Sequence, residues 1–132
     1  MTTVHFEESK EISVAELADV FRKSGIRRPV EDLPRLQKML EQADITMTAW
    51  DGMRLVGIAR AITDFSYCCY LSDLAVDQDY QNQGIGKELV KRVQERLGEE
   101  ISVILLASPI AMDYYPKIGF QKIQNGYIIP RK

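Results

Sequence analysis

The spacing of apolar positions changes several times along the chain, and each change predicts an element. TVHFEE (3–8) alternates and predicts a short first strand. Ser13, with Glu16 three residues on, forms a capping box, and Val14, Leu17, Ala18 and Phe21 follow at helical spacing up to Gly25, a stop signal. Leu33, Leu36, Leu40 and Ala43 make a second helical stripe, with Pro34 in the first turn, where a missing N–H is tolerated. ITMTAW (45–50) reads as a strand, Asp51-Gly52 as a type I′ hairpin turn, and MRLVGIARAI (53–62) as the partner strand. After a turn near Asp64, YCCYLSDLAV (67–76) is a third long strand. Ile85, Leu89, Val93 and Leu97 recur every four residues, with Lys87, Lys91, Arg92 and Glu95 off that stripe, so an amphipathic helix runs to Gly98. ISVILLA (101–107) is continuously apolar and predicts a strand buried on both faces. Ser108 and Pro109 fit the cap and first position of a short helix carrying Met112 and Tyr115, and GYIIP (126–130) reads as a final strand.

The predicted order is β-α-α-β-β-β-α-β-α-β. This is an α/β (α+β) fold with a mixed, mostly antiparallel sheet of about six to seven strands flanked by about four helices. A chain of 132 residues suits one domain spanning 1–132. An apolar content of 45%, a charged content of 27% and a net charge of −2 describe an ordinary globular protein and make no case for a nucleic-acid or membrane partner. Residues 1–10 carry no basic, then apolar, leader pattern. Cys68 and Cys69 are adjacent on a strand, point to opposite faces and are poor disulfide partners, so a reducing cytoplasm is the expected compartment. His5, the single histidine, lies on the first strand and carries no metal or triad pattern.

The unusual stretch is QNQGIG (81–86), between a strand and a helix. Glycines there let successive N–H groups converge on an anion, and a helix N-terminus adds partial positive charge. A P-loop is excluded because Gly86-Lys87 is followed by Glu88 instead of a hydroxyl residue, and position 81 is Gln. The dinucleotide fingerprint fails because Leu89 stands where the third glycine belongs. An anion cradle of a third kind and a plain strand-to-helix turn both remain open on this hexapeptide alone.

Two segments together narrow the reading. LAVDQDYQNQGIGKELV (74–90) resembles the acetyl-CoA signature of the GNAT superfamily of N-acetyltransferases, and AMDYYPKIGF (111–120) resembles that superfamily's A-x-x-x-Y-x-x-x-G-F segment through Ala111, Tyr115, Gly119 and Phe120. The resemblance covers about residues 45–120. It implies that backbone N–H groups of Asn82, Gln83, Gly84, Ile85, Gly86 and Lys87 hold the coenzyme A pyrophosphate. Leu74, Ala75 and Val76 would pair with the pantetheine arm like an added strand. Tyr115 would protonate the departing sulfur, and Asp73 is an expected base; base action through water, or an amine arriving neutral, are the alternatives. Relatives often carry Asn where Ser108 stands, so Ser108 is either a shorter pantetheine contact or only a helix cap. The base position on the 101–107 strand falls near Val103, which cannot serve. Arg27 and Arg28 lie where this superfamily lines its acceptor site, and an anionic group on the substrate would suit them; Trp50 and Phe65 either line the same mouth or pack. The implied activity is direct transfer of acetyl from acetyl-CoA to a small-molecule or peptide amine, without a metal. A non-catalytic acyl-CoA-binding sensor is the alternative, and exposed sheet edges leave a homodimer open.

Overall fold

A computed structural model describes residues 3–8 and 11–132; Met1, Thr2, Ser9 and Lys10, part of the leader reading, lie outside the described residues. Among the described residues the elements run β1 (His5–Glu8), α1 (Val14–Ser24), α2 (Leu33–Gln42), β2 (Ile45–Asp51), β3 (Arg54–Thr63), β4 (Cys68–Val76), α3 (Ile85–Leu97) and β5 (Ser102–Ile104). The strands form one sheet in the order β1-β2-β3-β4-β5. The first four are an antiparallel meander, and α3 is the crossover that sets β5 parallel to β4.

Local sequence accounts for most boundaries. Ser13 and Glu16 make the reciprocal capping box at 3.1 and 2.9 Å, and Gly25 closes α1 in the left-handed region at φ 83°. Asp32 caps α2 by accepting the Arg35 N–H at 3.2 Å, and Pro34 sits in the first turn. The β2–β3 hairpin turns one residue later than Asp51-Gly52 predicts. Asp51 stays in the ladder opposite Arg54, its carboxylate accepting the Tyr80 hydroxyl at 2.5 Å, so the loop is Gly52-Met53. Only Gly52 takes positive φ there (62°), which is the type II′ pattern. At the next turn one Asp64 oxygen accepts the N–H groups of Ser66, Tyr67 and Cys68 at 2.9, 2.8 and 3.1 Å. These bonds, Tyr67's foremost, hold the Asp64 carboxyl below its usual range.

The sheet is covered on both faces. On one, the α3 stripe of Ile85, Leu89 and Val93 packs on Met47, Ala59 and Leu71. On the other, Leu17 and Phe21 of α1 and Leu36 of α2 pack on Trp50, Ile58 and Ala75. Fully buried side chains of this kind contribute about 1.5–3 kcal/mol each. Cys68 is exposed and Cys69 buried, as the alternation requires, and burial pushes the Cys69 thiol up to about 11.

Three expectations need correction. Among the described residues the sheet has five strands, not six to seven, and there are three α-helices, the predicted fourth being two single 3-10 turns, Pro109–Ala111 and Tyr115–Ile118. Pro109 and Pro116 each remove a backbone donor from this short stretch, which favours single turns over a continuous helix. ISVILLA forms only the three-residue edge strand β5, with Ser102 and Ile104 exposed, because β4 is its only neighbour. GYIIP joins no ladder; Tyr127 and Ile129 are almost wholly exposed, and Gly126 and Pro130 bracket a stretch too short to pair unaided.

One irregularity positions the site. Arg60 pairs with Asp73 but the adjacent Ala61 pairs with Leu71, so Ser72 is an extra residue, a β-bulge in β4. Before it, Cys69 and Leu71 face the α3 side; after it, Ala75 faces α1 and α2, while Leu74 and Val76 pack toward α3. A one-residue offset reverses which face each side chain meets.

Candidate active site

β5 pairs with β4 only from Cys68 to Tyr70, so the β5-side edge of β4 has no strand partner from Leu71 to Val76. Across the gap runs the chain after β5, residues 105–108. The two walls enclose a cleft of about 700 Å³, within the range of small-molecule sites. Leu74, Ala75 and Val76 line one wall; Asn82, Gly84, Ile85, Gly86 and Lys87 line the end; Ser108 and Tyr115 line the other side. Gln83 and Asp73 do not line it.

The glycine loop is tied down on both sides. Asp77, buried, accepts the Asp79 N–H at 2.9 Å and pairs with Arg54 at 3.0 Å. The Gln81 amide reaches back and donates to the Val76 carbonyl at 2.9 Å, closing the end of β4. Asn82 (φ 65°) and Gly84 (φ 82°) then turn the chain through the left-handed region into α3. No side chain caps α3 at Gly84, so its first N–H groups are left to solvent or a ligand, at the positive end of the helix dipole.

The two glycines are there for different reasons. A Cβ on Gly84 would meet nothing within 4 Å; its left-handed backbone is what excludes other residues. Gly86 has ordinary helical backbone, but a Cβ there would lie 2.5 Å from the Tyr114 hydroxyl oxygen and 3.5 Å from the ring carbon that bears it. Tyr114 thus seats its hydroxyl on the first turn of α3. Its ring meets Tyr115 edge-on at 5.3 Å, and Tyr115 meets Phe120 edge-on at 5.4 Å. The turn carrying Tyr115 ends where Gly119 adopts φ 103° and the Phe120 N–H reaches the Tyr115 carbonyl at 3.1 Å. Burial raises the Tyr115 hydroxyl above tyrosine's ordinary value; the neighbouring Tyr114 adds to the shift and Arg28 opposes it. Burial likewise raises Tyr114. Ser108 starts the Pro109 turn with its carbonyl alone, since its side chain makes no capping bond.

Asp73 lies elsewhere. Its side chain is fully buried on the α1–α2 side of the sheet, one oxygen accepting from Arg28 Nε and the other from Arg60 Nε. Arg60 also donates to Ser72 Oγ at 2.9 Å and to the Met39 carbonyl at 3.2 Å. Arg28 donates to the carbonyl of the bulge residue Ser72 at 2.7 Å. Trp50 is buried and donates to Thr48 Oγ1 at 2.8 Å, and Phe65 stacks under Arg96; neither lines the cleft. Sequence reasoning missed Arg60 and Tyr114, although an arginine inside VGIARAI and a doubled tyrosine were visible.

The unpaired edge of β4 and the uncapped start of α3 meet in one cleft. Comparison with known proteins places the chain in a family. The family model described as "Acetyltransferase (GNAT) domain" matches residues 17–128, and the chain belongs to that family. It is 30% identical over 130 residues to an uncharacterized N-acetyltransferase, ycf52, of Porphyra purpurea, covering 93% of this chain and 73% of that protein. Its fold matches that of a probable acetyltransferase from meticillin-resistant Staphylococcus aureus, with a TM-score of 0.85 at 23% identity over 98% of this chain and 100% of the other. It also matches an aminoglycoside N-acetyltransferase, AAC(6')-Iy, in complex with CoA, with a TM-score of 0.75 at 18% identity over 100% and 96% of the two chains.

Proposed function

We propose that the protein transfers an acetyl group from acetyl-CoA to a primary amine by direct attack within a ternary complex. The observation that carries this reading is the splay: β4 leaves its Leu71–Val76 edge unpaired beside an uncapped helix N-terminus. The pyrophosphate would sit on the N–H groups of Gly84 to Lys87, and the pantetheine arm would pair with Leu74 to Val76 as an added strand. A backbone N–H of the same edge would polarise the thioester carbonyl. The amine nitrogen attacks that carbonyl carbon, the C–N bond forms and the C–S bond breaks. Tyr115 gives its proton to the leaving thiolate, and the proton that the nitrogen sheds on becoming an amide returns through water to the tyrosinate; a tyrosine hydroxyl is protonated at neutral pH, and burial moves its pKa further up.

The base is not a residue of the cleft. Asp73 has both oxygens committed to arginines and is read as a structural anchor. Among the described residues no Asp, Glu or His lines the cleft, so the amine loses its proton to water before attack. The acid limb of kcat/KM then follows the pKa of whichever acceptor is used.

Tyr115→Phe tests the assignment. Turnover, read as thiol release, should fall about 10²–10⁴-fold while acetyl-CoA affinity is kept. In the wild type any alkaline limb due to this hydroxyl should lie on the alkaline side of tyrosine's ordinary range, since burial raises its pKa and defers loss of the donor. Unchanged turnover in the variant removes Tyr115 from the mechanism.

A further inference from the structure

The wall of the cleft opposite the glycine loop carries an uncompensated cation. Arg60 is nearly buried, and it alone balances the single charge of Asp73. Arg28 brings a second guanidinium to the same carboxylate, so the Arg28–Asp73–Arg60 cluster holds two positive charges and one negative. Arg28 is the member that lines the cleft, with its side chain about a quarter exposed. Among the described residues, the other charged residue lining the cleft is Lys87, at the first turn of α3.

Arg28 is also held in place. Its Nε is bonded to Asp73, one terminal nitrogen to the Arg27 carbonyl at 2.5 Å, and the other to the Ser72 carbonyl at 2.7 Å. An arginine has five N–H donors, so three bonds leave two uncommitted. A guanidinium fixed in this way has already lost its rotamer freedom, and its planar fork matches an oxyanion.

Position separates this group from the cofactor's phosphates. Arg28 meets β4 at Ser72, whereas the glycine loop leaves β4 after Val76. Four strand residues span roughly 13 Å. Arg28 and Tyr115 line the same cleft, so the guanidinium faces the space an acceptor would enter.

We infer that Arg28 is an acceptor-binding residue, and that the preferred acceptor is a primary amine also bearing a carboxylate or phosphate. This inference rests on the acetyl-transfer reading above. An acceptor with further cationic groups would meet Arg28 as a like charge and be disfavoured.

Three amines of similar length separate the possibilities: 4-aminobutyrate, butylamine and 1,4-diaminobutane, with 3-aminopropyl phosphate to distinguish the two oxyanions. Each would be measured for kcat/KM with acetyl-CoA and for affinity to the CoA-loaded protein. The anionic amines should exceed butylamine by about tenfold or more, as one charged hydrogen bond allows, and the diamine should be the poorest. Arg28→Gln should erase that ranking while leaving acetyl-CoA affinity and the Asp73–Arg60 pair intact; Arg28→Lys should retain part of it. A diamine equal to or better than the anionic amines, or a ranking unmoved by Arg28→Gln, overturns the inference. Loss of acetyl-CoA binding by the wild type would instead sink the acetyl-transfer reading.

Discussion

The two halves of β4 belong to one strand and end in opposite situations. From Cys68 to Leu71 the strand follows a regular register with β3, is joined by β5 as far as Tyr70, and packs Cys69 and Leu71 under α3. From Ser72 to Val76 it is paired on one side only, and its other edge lines the cleft. A single inserted residue separates them. The Ser72 bulge sends Asp73 to the α1–α2 side to meet Arg60, its carbonyl accepts from Arg28, and it lies two residues past the last pair with β5. A free sheet edge is normally a liability. Here it is confined to six residues and backed by a buried charge cluster in place of a second neighbouring strand.

The largest way to break this contrast is at the anchor. Asp73→Asn removes the charge shared by Arg28 and Arg60 and leaves a nearly buried arginine unpaired. Denaturant unfolding should show a loss of about 3–5 kcal/mol. If Asp73 were a general base, the same variant would keep its stability and lose turnover, so the two readings diverge on one sample.

A smaller effect should follow at the glycines. Gly86→Ala places a methyl against the Tyr114 hydroxyl and should cost about 1–3 kcal/mol, as overpacking does. Adding Tyr114→Phe removes the clashing oxygen, leaving the nearest ring carbon at an ordinary 3.5 Å, and should restore most of the loss. Additive costs in the double variant would mean that Gly86 serves only the ligand. Smallest is Gly84→Ala, where only left-handed backbone opposes the change; about 1–2 kcal/mol is expected, and Tyr114→Phe should not relieve it.

How much of this was legible in the sequence depended on the range of the interactions. The capping box at Ser13, the Gly25 stop and the α3 stripe were readable because each depends on residues within four positions. The glycine loop and Tyr115 were readable as a pair of motifs. The role of Asp73 was not, because it turns on a bulge, and a bulge is set by the pairing of β3 with β4, which no local pattern records. ISVILLA misled for a related reason: continuous apolarity implied two covered faces, whereas Ile104 and Leu106 are exposed at the sheet edge. Gly86 was read as room for an anion, and the structure places Tyr114 against it from twenty-eight residues downstream.

The central claim is that the open half of β4 and the uncapped start of α3 together receive acetyl-CoA. Titration calorimetry of the intact chain with acetyl-CoA, and separately with Mg-ATP, addresses it directly. The account predicts saturable one-to-one binding of acetyl-CoA, tighter than millimolar, and none of comparable strength for Mg-ATP. Binding of Mg-ATP in preference, or of neither ligand below millimolar, would contradict it.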